Sequence, residues 1–216
     1  MTSLPIFWAE NDAFASLSGG AETQSHWAVG ALGGQYEVTP LDILQPGSLA
    51  GVDLLLLAQP RILTPAENVA LDDWVRSGGR VLVFADPKLV GESHLPLGDP
   101  RRPLDSAMLS PILGRWGLEM VFDPADGLRI VRLGTAEMGV AAAGSFRLRP
   151  ADGSQCRLML DGLAAQCRIG TGGAVLVADA TLLEDPVGGE GSPVALGQLL
   201  GMTREASREN AGAAGS

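Results

Sequence analysis

The chain has little of what most chemistry and most membrane or nucleic-acid binding require. Its 216 residues include only two cysteines and two histidines. No G-x-S-x-G occurs, so the strained strand-to-helix turn that presents a serine nucleophile is missing. No Lys/Arg-rich run appears, and the net charge is −10 with a pI near 4.6, which makes nucleic acid and anionic membrane surfaces poor partners. The apolar stretch Leu54–Ala58 is far shorter than the roughly 20 residues that cross a bilayer. The sequence opens with no basic segment leading into an apolar one. The expectation is a soluble chain without a membrane span of its own, cytoplasmic by default. The alternative is a periplasmic or membrane-associated position if a leader or anchor precedes Met1.

What remains is a foldable globular chain: 46% hydrophobic, 19% charged, and long enough for one good-sized domain. The clearest segment is "TPAENVALDDWVRSGG". Thr64 is placed as N-cap, Pro65 opens the helix and Glu67 completes a capping box. At about 100° per residue Ala70, Leu71, Trp74 and Val75 share a face, with Asn68, Asp72, Asp73 and Arg76 on the other. Gly78-Gly79 closes the helix in a left-handed cap. "GVDLLLLAQP" before it and "RVLVFA" after it read as strands buried on both faces, so the three pieces form a βαβ unit and imply a parallel sheet. "LPIFWAE" and "YEVTPL" read as two earlier strands with the short helix "SHWAVGALGGQ" between them. "DSAMLSPILGRWG" reads as a helix with Leu109, Ile112, Leu113 and Trp116 in one stripe, and "LEMVF" as a fifth strand. The tryptophans belong mostly to the core, with Trp8 a weak candidate for a pocket wall.

From Asp123 to Gly172 the rhythm changes to short strands with Gly and Asp turns, an antiparallel meander set into or beside the parallel sheet. "GAVLVADATLL" returns to the buried-strand pattern and "SPVALGQLLGM" is a last helix. The expected fold class is therefore α/β: a three-layer, mostly parallel, Rossmann-like or flavodoxin-like sheet flanked by helices, with a β-rich insertion at 123–172. One domain spans residues 1–202, and residues 203–216 are expected to form a tail.

Several features carry chemistry or its absence. Asp161-Gly162 is a strong two-residue hairpin turn. In that register Leu160 faces Leu163 and Cys156 faces Cys167, on a hydrogen-bonded pair with Cα atoms about 5.5 Å apart. The two cysteines are either a cross-strand disulfide or a reduced apolar pair. The carboxyl edge of the sheet, where α/β proteins gather ligands, would present Glu10, Asp12, Asp86, Asp123 and Asp179. Such carboxylates either hold Mg²⁺ or Ca²⁺ or, as Asp-Pro at 86–87 favours, anchor the following loop through backbone N–H groups. Arg101 and Arg102 in the long 86–104 loop either clamp an anion or pair with Asp99, Asp105 or Glu92. His94 has no neighbour at metal-ligand spacing. "DPVGGEGSPVALG" opens a helix on glycines, but it lacks the Gly-Lys-Ser/Thr of a P-loop and reads as an ordinary capped start at Ser192. No cofactor is implied.

The segment "VDLLLLAQPRILTPAENVALDDWVRSGGRVLVFADP" resembles the glutamine-amidotransferase-like domains in auxiliary subunits of gliding-motility-type ABC transporters. It is also similar to a domain of some intraflagellar transport proteins and to trehalose-utilisation-type domains. "VLVADATLLEDP" resembles the family's late strand. The resemblance implies a bacterial transport auxiliary that binds other subunits of a membrane complex. In catalytic relatives the strand equivalent to "RVLVFA" ends in a G-x-C-x-G elbow served by a downstream histidine. Here the corner reads Ala85-Asp86-Pro87, and no histidine lies in the C-terminal half. The expectation is a non-enzymatic interaction domain. The alternatives are a small-ligand or metal-binding domain using Glu10, Asp12, Asp86, Arg101 and Arg102, or a divergent hydrolase using Asp86.

Overall fold

The computed structural model describes residues 1–7, 26–91, 93, 95–99, 101–122, 124, 127–184 and 189–208. Its centre is a five-stranded sheet. Strands β1 (Leu54–Ala58), β2 (Arg80–Phe84) and β9 (Gly172–Val177) run parallel, with Leu55 beside Val81 and Val81 beside Ala174. Strands β8 (Ala164–Ile169) and β7 (Ser154–Met159) continue the sheet antiparallel, so the strand order is β1-β2-β9-β8-β7. The sheet is parallel at one end only. Two two-stranded ladders stand apart from it: β3 (Leu118–Phe122) with β6 (Gly144–Leu148), and β4 (Arg129–Leu133) with β5 (Ala136–Val140).

Helices flank the sheet because each parallel strand is apolar on both faces. In β2, Val81 and Val83 join one buried cluster with Leu71, Val75 and Trp116. Leu82 and Phe84 join another with Leu32, Leu196 and Leu199. The first cluster is supplied by α2 (Pro65–Arg76) and α3 (Ser110–Arg115), the second by α1 (Trp27–Gly33) and α4 (Ser192–Arg208).

Helix α2 forms as its sequence dictates. Thr64 Oγ1 accepts from Glu67 N–H at 3.3 Å and Glu67 Oε2 accepts from Thr64 N–H at 2.9 Å. The helix ends when Gly79 N–H bonds Trp74 O at 3.0 Å, with Gly78 at φ +114, a value that favours glycine. β9 approaches this end so closely that a Cβ on Gly172 would lie 1.9 Å from Val75 O.

Several expectations are corrected. Among the described residues, Leu4–Phe7 form no strand; the N-terminal segment adds only a parallel bridge, Thr2 to Ala58. Ile6 N–H bonds Leu4 O and Leu4 N–H bonds Thr2 Oγ1, so the backbone is used locally. "YEVTPL" is irregular: among the described residues it pairs with no strand, and Glu37, Thr39 and Pro40 face solvent. "LEMVF" (β3) is not a fifth strand of the parallel sheet; it pairs with β6 in a ladder of its own. Of the two placements expected for the 123–172 region, part of it, β7 and β8, is set into the main sheet. Residues 203–208, expected as tail, continue α4. Thr203 and Ala206 are buried at helical spacing from Leu199 and Leu200, and a Cβ on Gly173 would lie 2.7 Å from the Ala206 Cβ.

Asp72, expected on the outer face of α2, is buried. Its Oδ1 accepts from Trp116 Nε1 at 2.9 Å, and its carboxylate pairs with Arg76 and Arg115. Burial opposes its ionisation, but these bonds more than offset it and hold the carboxyl below its ordinary range.

The β7–β8 hairpin turns at Asp161-Gly162, with φ +54 and +88. Leu160 is also left-handed, at φ +52, so the ladder closes one step later, at Met159 and Ala164. Cys156 and Cys167 still face each other and are joined as a disulfide, but with Cα atoms 4.0 Å apart. That is the narrow spacing of a non-hydrogen-bonded pair rather than the wide one expected.

Candidate functional site

Three adjacent parallel strands end in polar residues. β1 runs into Gln59, β2 into Ala85-Asp86 and β9 into Ala178-Asp179. Gln59, Asp86 and Asp179 are all almost wholly buried. Gln59, at φ +44, turns its side chain across the strand ends. Its Oε1 accepts from Asp86 N–H at 2.8 Å, and its Nε2 donates to Asp86 O at 3.2 Å and to Leu104 O at 2.9 Å.

The carboxylates do similar work. Asp86 Oδ1 accepts from Lys88 N–H at 2.8 Å and Oδ2 from Ala180 N–H at 3.1 Å. Asp179 Oδ1 accepts from Thr181 N–H at 2.9 Å, while Oδ2 accepts from Ala141 N–H at 3.1 Å and Thr181 Oγ1 at 3.2 Å. The two side chains thus tie together the loops after β2, β5 and β9. Ala107 N–H, bonding Asp86 O at 2.7 Å, brings the far end of the long loop back to the same point.

Burial pushes Asp86 up to about 6, against the pull of its two backbone N–H donors. Burial, reinforced by the charge of Asp86, pushes Asp179 up to about 7. Glu184 is raised for the same two reasons, although it accepts from the backbone at Val90 and Gly91. Its Oε1 is buried without a hydrogen-bond partner. Among the described residues, no group of three Asp, Glu, His or Cys side chains is placed to hold a metal ion.

The other sequence candidates fall elsewhere. Glu10, Asp12, Asp123, Trp8, Glu92 and His94 lie outside the described residues. Arg101 is paired with Asp99 at 2.7 Å. Arg102 donates to Leu95 O at 2.8 Å and lies 3.6 Å from Asp105. Both guanidinium groups are therefore engaged within the loop, on Asp99, Asp105 and a loop carbonyl. The glycine-rich stretch closes locally, with Ser192 Oγ accepting from Gly189 N–H at 3.0 Å. Buried His26 accepts from Ala28 N–H on one ring nitrogen and meets Leu183 O with the other, capping α1. Gln59 escaped sequence reasoning. A strand-end glutamine before proline has no distinctive signature, and only the juxtaposition of β1 and β2 gives it a role.

A cleft of about 610 Å³ lies elsewhere, along the outer edge of β1, lined by Leu54, Leu56, Tyr36, Val38 and Phe7 among others. Asp86 is not part of it.

The fold and this edge define a mixed α/β domain whose strand-end carboxylates are spent on fixing loops. Residues 11–146 match the family described as an ABC-type uncharacterized transport system, the ABC transporter auxiliary family, and the chain belongs to it. No curated protein matches the chain. Among solved structures, it is similar to the mmIFT52 N-terminal domain at 16% identity, TM-score 0.55, covering 82% of this chain and 89% of that one. It is also similar to the cytoplasmic protein STM1381 from Salmonella typhimurium LT2, at 15% identity and TM-score 0.49, covering 82% and 86%. No helix among the described residues is long and apolar enough to cross a membrane.

Proposed function

We propose that this chain is a non-enzymatic accessory domain of an ABC-type transport assembly, glutamine-amidotransferase-like in its Rossmann-like, doubly covered sheet. Family membership supports the transport setting. The observation that carries the non-enzymatic part is Asp86. The resemblance to amidotransferase-like domains implies that a nucleophile would stand at the Ala85-Asp86-Pro87 corner; here Asp86 is fully buried and each carboxylate oxygen accepts a main-chain N–H. A nucleophile or general base must reach a substrate atom, and this carboxylate is aimed at its own loops. The domain's contribution is then a surface rather than a reaction, and its partners are other subunits of the membrane complex.

Crosslinking in native membranes, followed by affinity capture and mass spectrometry, tests the proposal. ABC-transporter subunits are expected among the crosslinked partners. Recovery of the protein alone from both membrane and soluble fractions would remove the reading.

A further inference from the structure

β1 is an edge strand, and its outer side is only partly covered. Successive residues of a strand direct their N–H and C=O to alternate sides. Gln59 N–H bonds Phe84 O on the β2 side at 2.9 Å, so Leu54, Leu56 and Ala58 direct theirs outward. Met1–Ser3 take up part of that edge. The Met1 amine donates to Leu56 O at 2.9 Å, Ala58 N–H donates to Met1 O at 3.1 Å, and Ser3 N–H donates to Ala58 O at 3.3 Å. Leu54 N–H, Leu54 C=O and Leu56 N–H have no backbone partner among the described residues.

Leu54 and Leu56 line the 610 Å³ cleft. Unpaired strand-edge groups are a ready template for another strand. The lining has apolar side chains for one face of such a strand, among them Phe7, Tyr36 and Val38. Its two charged side chains are Glu37 and Asp53, both exposed; no Lys or Arg lines it among the described residues, and the Met1 amine, which also lines it, is lowered by burial to about 6. Side chains of an added strand alternate in direction. One set can pack on the apolar wall while the other meets the two carboxylates.

We propose that this cleft binds an extended segment of a partner protein, alternating apolar and basic side chains, which adds to the sheet by pairing with Leu54–Leu56. The segment supplies the missing backbone partners over about three residues, roughly 10 Å of strand. Continuity favours this mode, since Met1–Ser3 already pair with the same edge in the same way. The site stands on its own geometry and does not depend on the transport reading.

The probe is acetyl-Val-Lys-Val-Lys-Val-Lys-amide, with amide hydrogen exchange followed by NMR on the whole chain. At saturating peptide, exchange at Leu54 and Leu56 is expected to slow by about tenfold or more, while the Val-Glu analogue and a backbone N-methylated Val-Lys analogue leave it unchanged. The double substitution Glu37→Lys/Asp53→Lys should weaken binding by about tenfold, and Asp73→Lys, outside the cleft, should not. No slowing at either amide overturns the proposal. So does equal binding of the Val-Glu or N-methylated peptide. Slowing that appears on raising protein concentration alone assigns the edge to a second copy of this chain, and the proposal then falls.

Discussion

Gln59 and Asp86 grip each other in both directions: the Asp86 N–H donates to the Gln59 amide oxygen at 2.8 Å, and the Gln59 amide nitrogen donates to the Asp86 carbonyl at 3.2 Å. The clasp joins the ends of β1 and β2 and extends to Leu104. Replacing Gln59 with Ala leaves a buried N–H without its acceptor and removes a donor from two carbonyls. The expected loss is about 2–4 kcal/mol, read as a lower urea midpoint with an unchanged slope. A variant as stable as the parent would show that the clasp is incidental.

The same edge sets a pH dependence. Folding raises Asp86 to about 6 and Asp179 to about 7, and raises Glu184. In the unfolded chain these groups titrate near 4. Between roughly pH 4 and pH 7 the native state therefore holds more protons, and stability falls as pH rises, by up to about 1.4 kcal/mol per pH unit for each proton. Glu67 has the opposite sign. Its bond to Arg61, assisted by Thr64 and Leu44, lowers it to about 2, so its contribution is present above about pH 4 and lost as pH falls toward 2. Urea midpoints should peak near pH 4 and decline toward pH 7. Asp179→Asn should flatten the decline above pH 4, and a midpoint that rises from pH 4 to 7 would contradict this account.

The disulfide closes a loop of sequence separation 11 in a hairpin whose Cys167 is fully buried. The chain-entropy relation gives about 3 kcal/mol for a loop of this size. Thermal denaturation with and without a phosphine reductant should show a lower midpoint when reduced, and Cys156→Ala/Cys167→Ala should respond to neither condition. Identical midpoints for the parent in both conditions would mean that the sulfurs are not joined in solution.

Gly172 marks the closest approach of α2 to the sheet. An added Cβ would lie 1.9 Å from Val75 O and 2.3 Å from Gly79 O, both backbone atoms with little room to yield. Gly172→Ala should destabilise by more than about 3 kcal/mol or prevent folding. Gly139→Ala, where a Cβ meets nothing within 4 Å, is the control and should change stability little. Equal behaviour of the two variants would count against the packing described.

Much of the fold is legible in the sequence wherever a local rule decides. The Thr64/Glu67 capping box, the Gly78-Gly79 stop and the apolar runs of β1, β2 and β9 fix their own conformations, and Asp161-Gly162 fixes the facing of Cys156 and Cys167. At the site, Asp86 as a loop anchor follows from Asp-Pro chemistry and the absence of a nucleophile at the corner.

The rest needed the assembled chain. "YEVTPL" has strand composition but pairs with no strand among the described residues, and a strand exists only with a partner. "LEMVF" has a partner, but from the meander instead of the parallel sheet. Asp72 is placed outward by helical geometry and is buried because Trp116, forty-four residues on, brings an N–H to it. α4 runs on to Arg208 because Ala206 meets a glycine of β9 that has no side chain to keep it away. Gln59 matters only because two strand ends lie side by side. Local backbone preference and hydrophobic period are written in short stretches of sequence. Pairing, burial and the raising of a carboxyl pKa depend on residues far apart in the chain, and for those the tertiary structure decides.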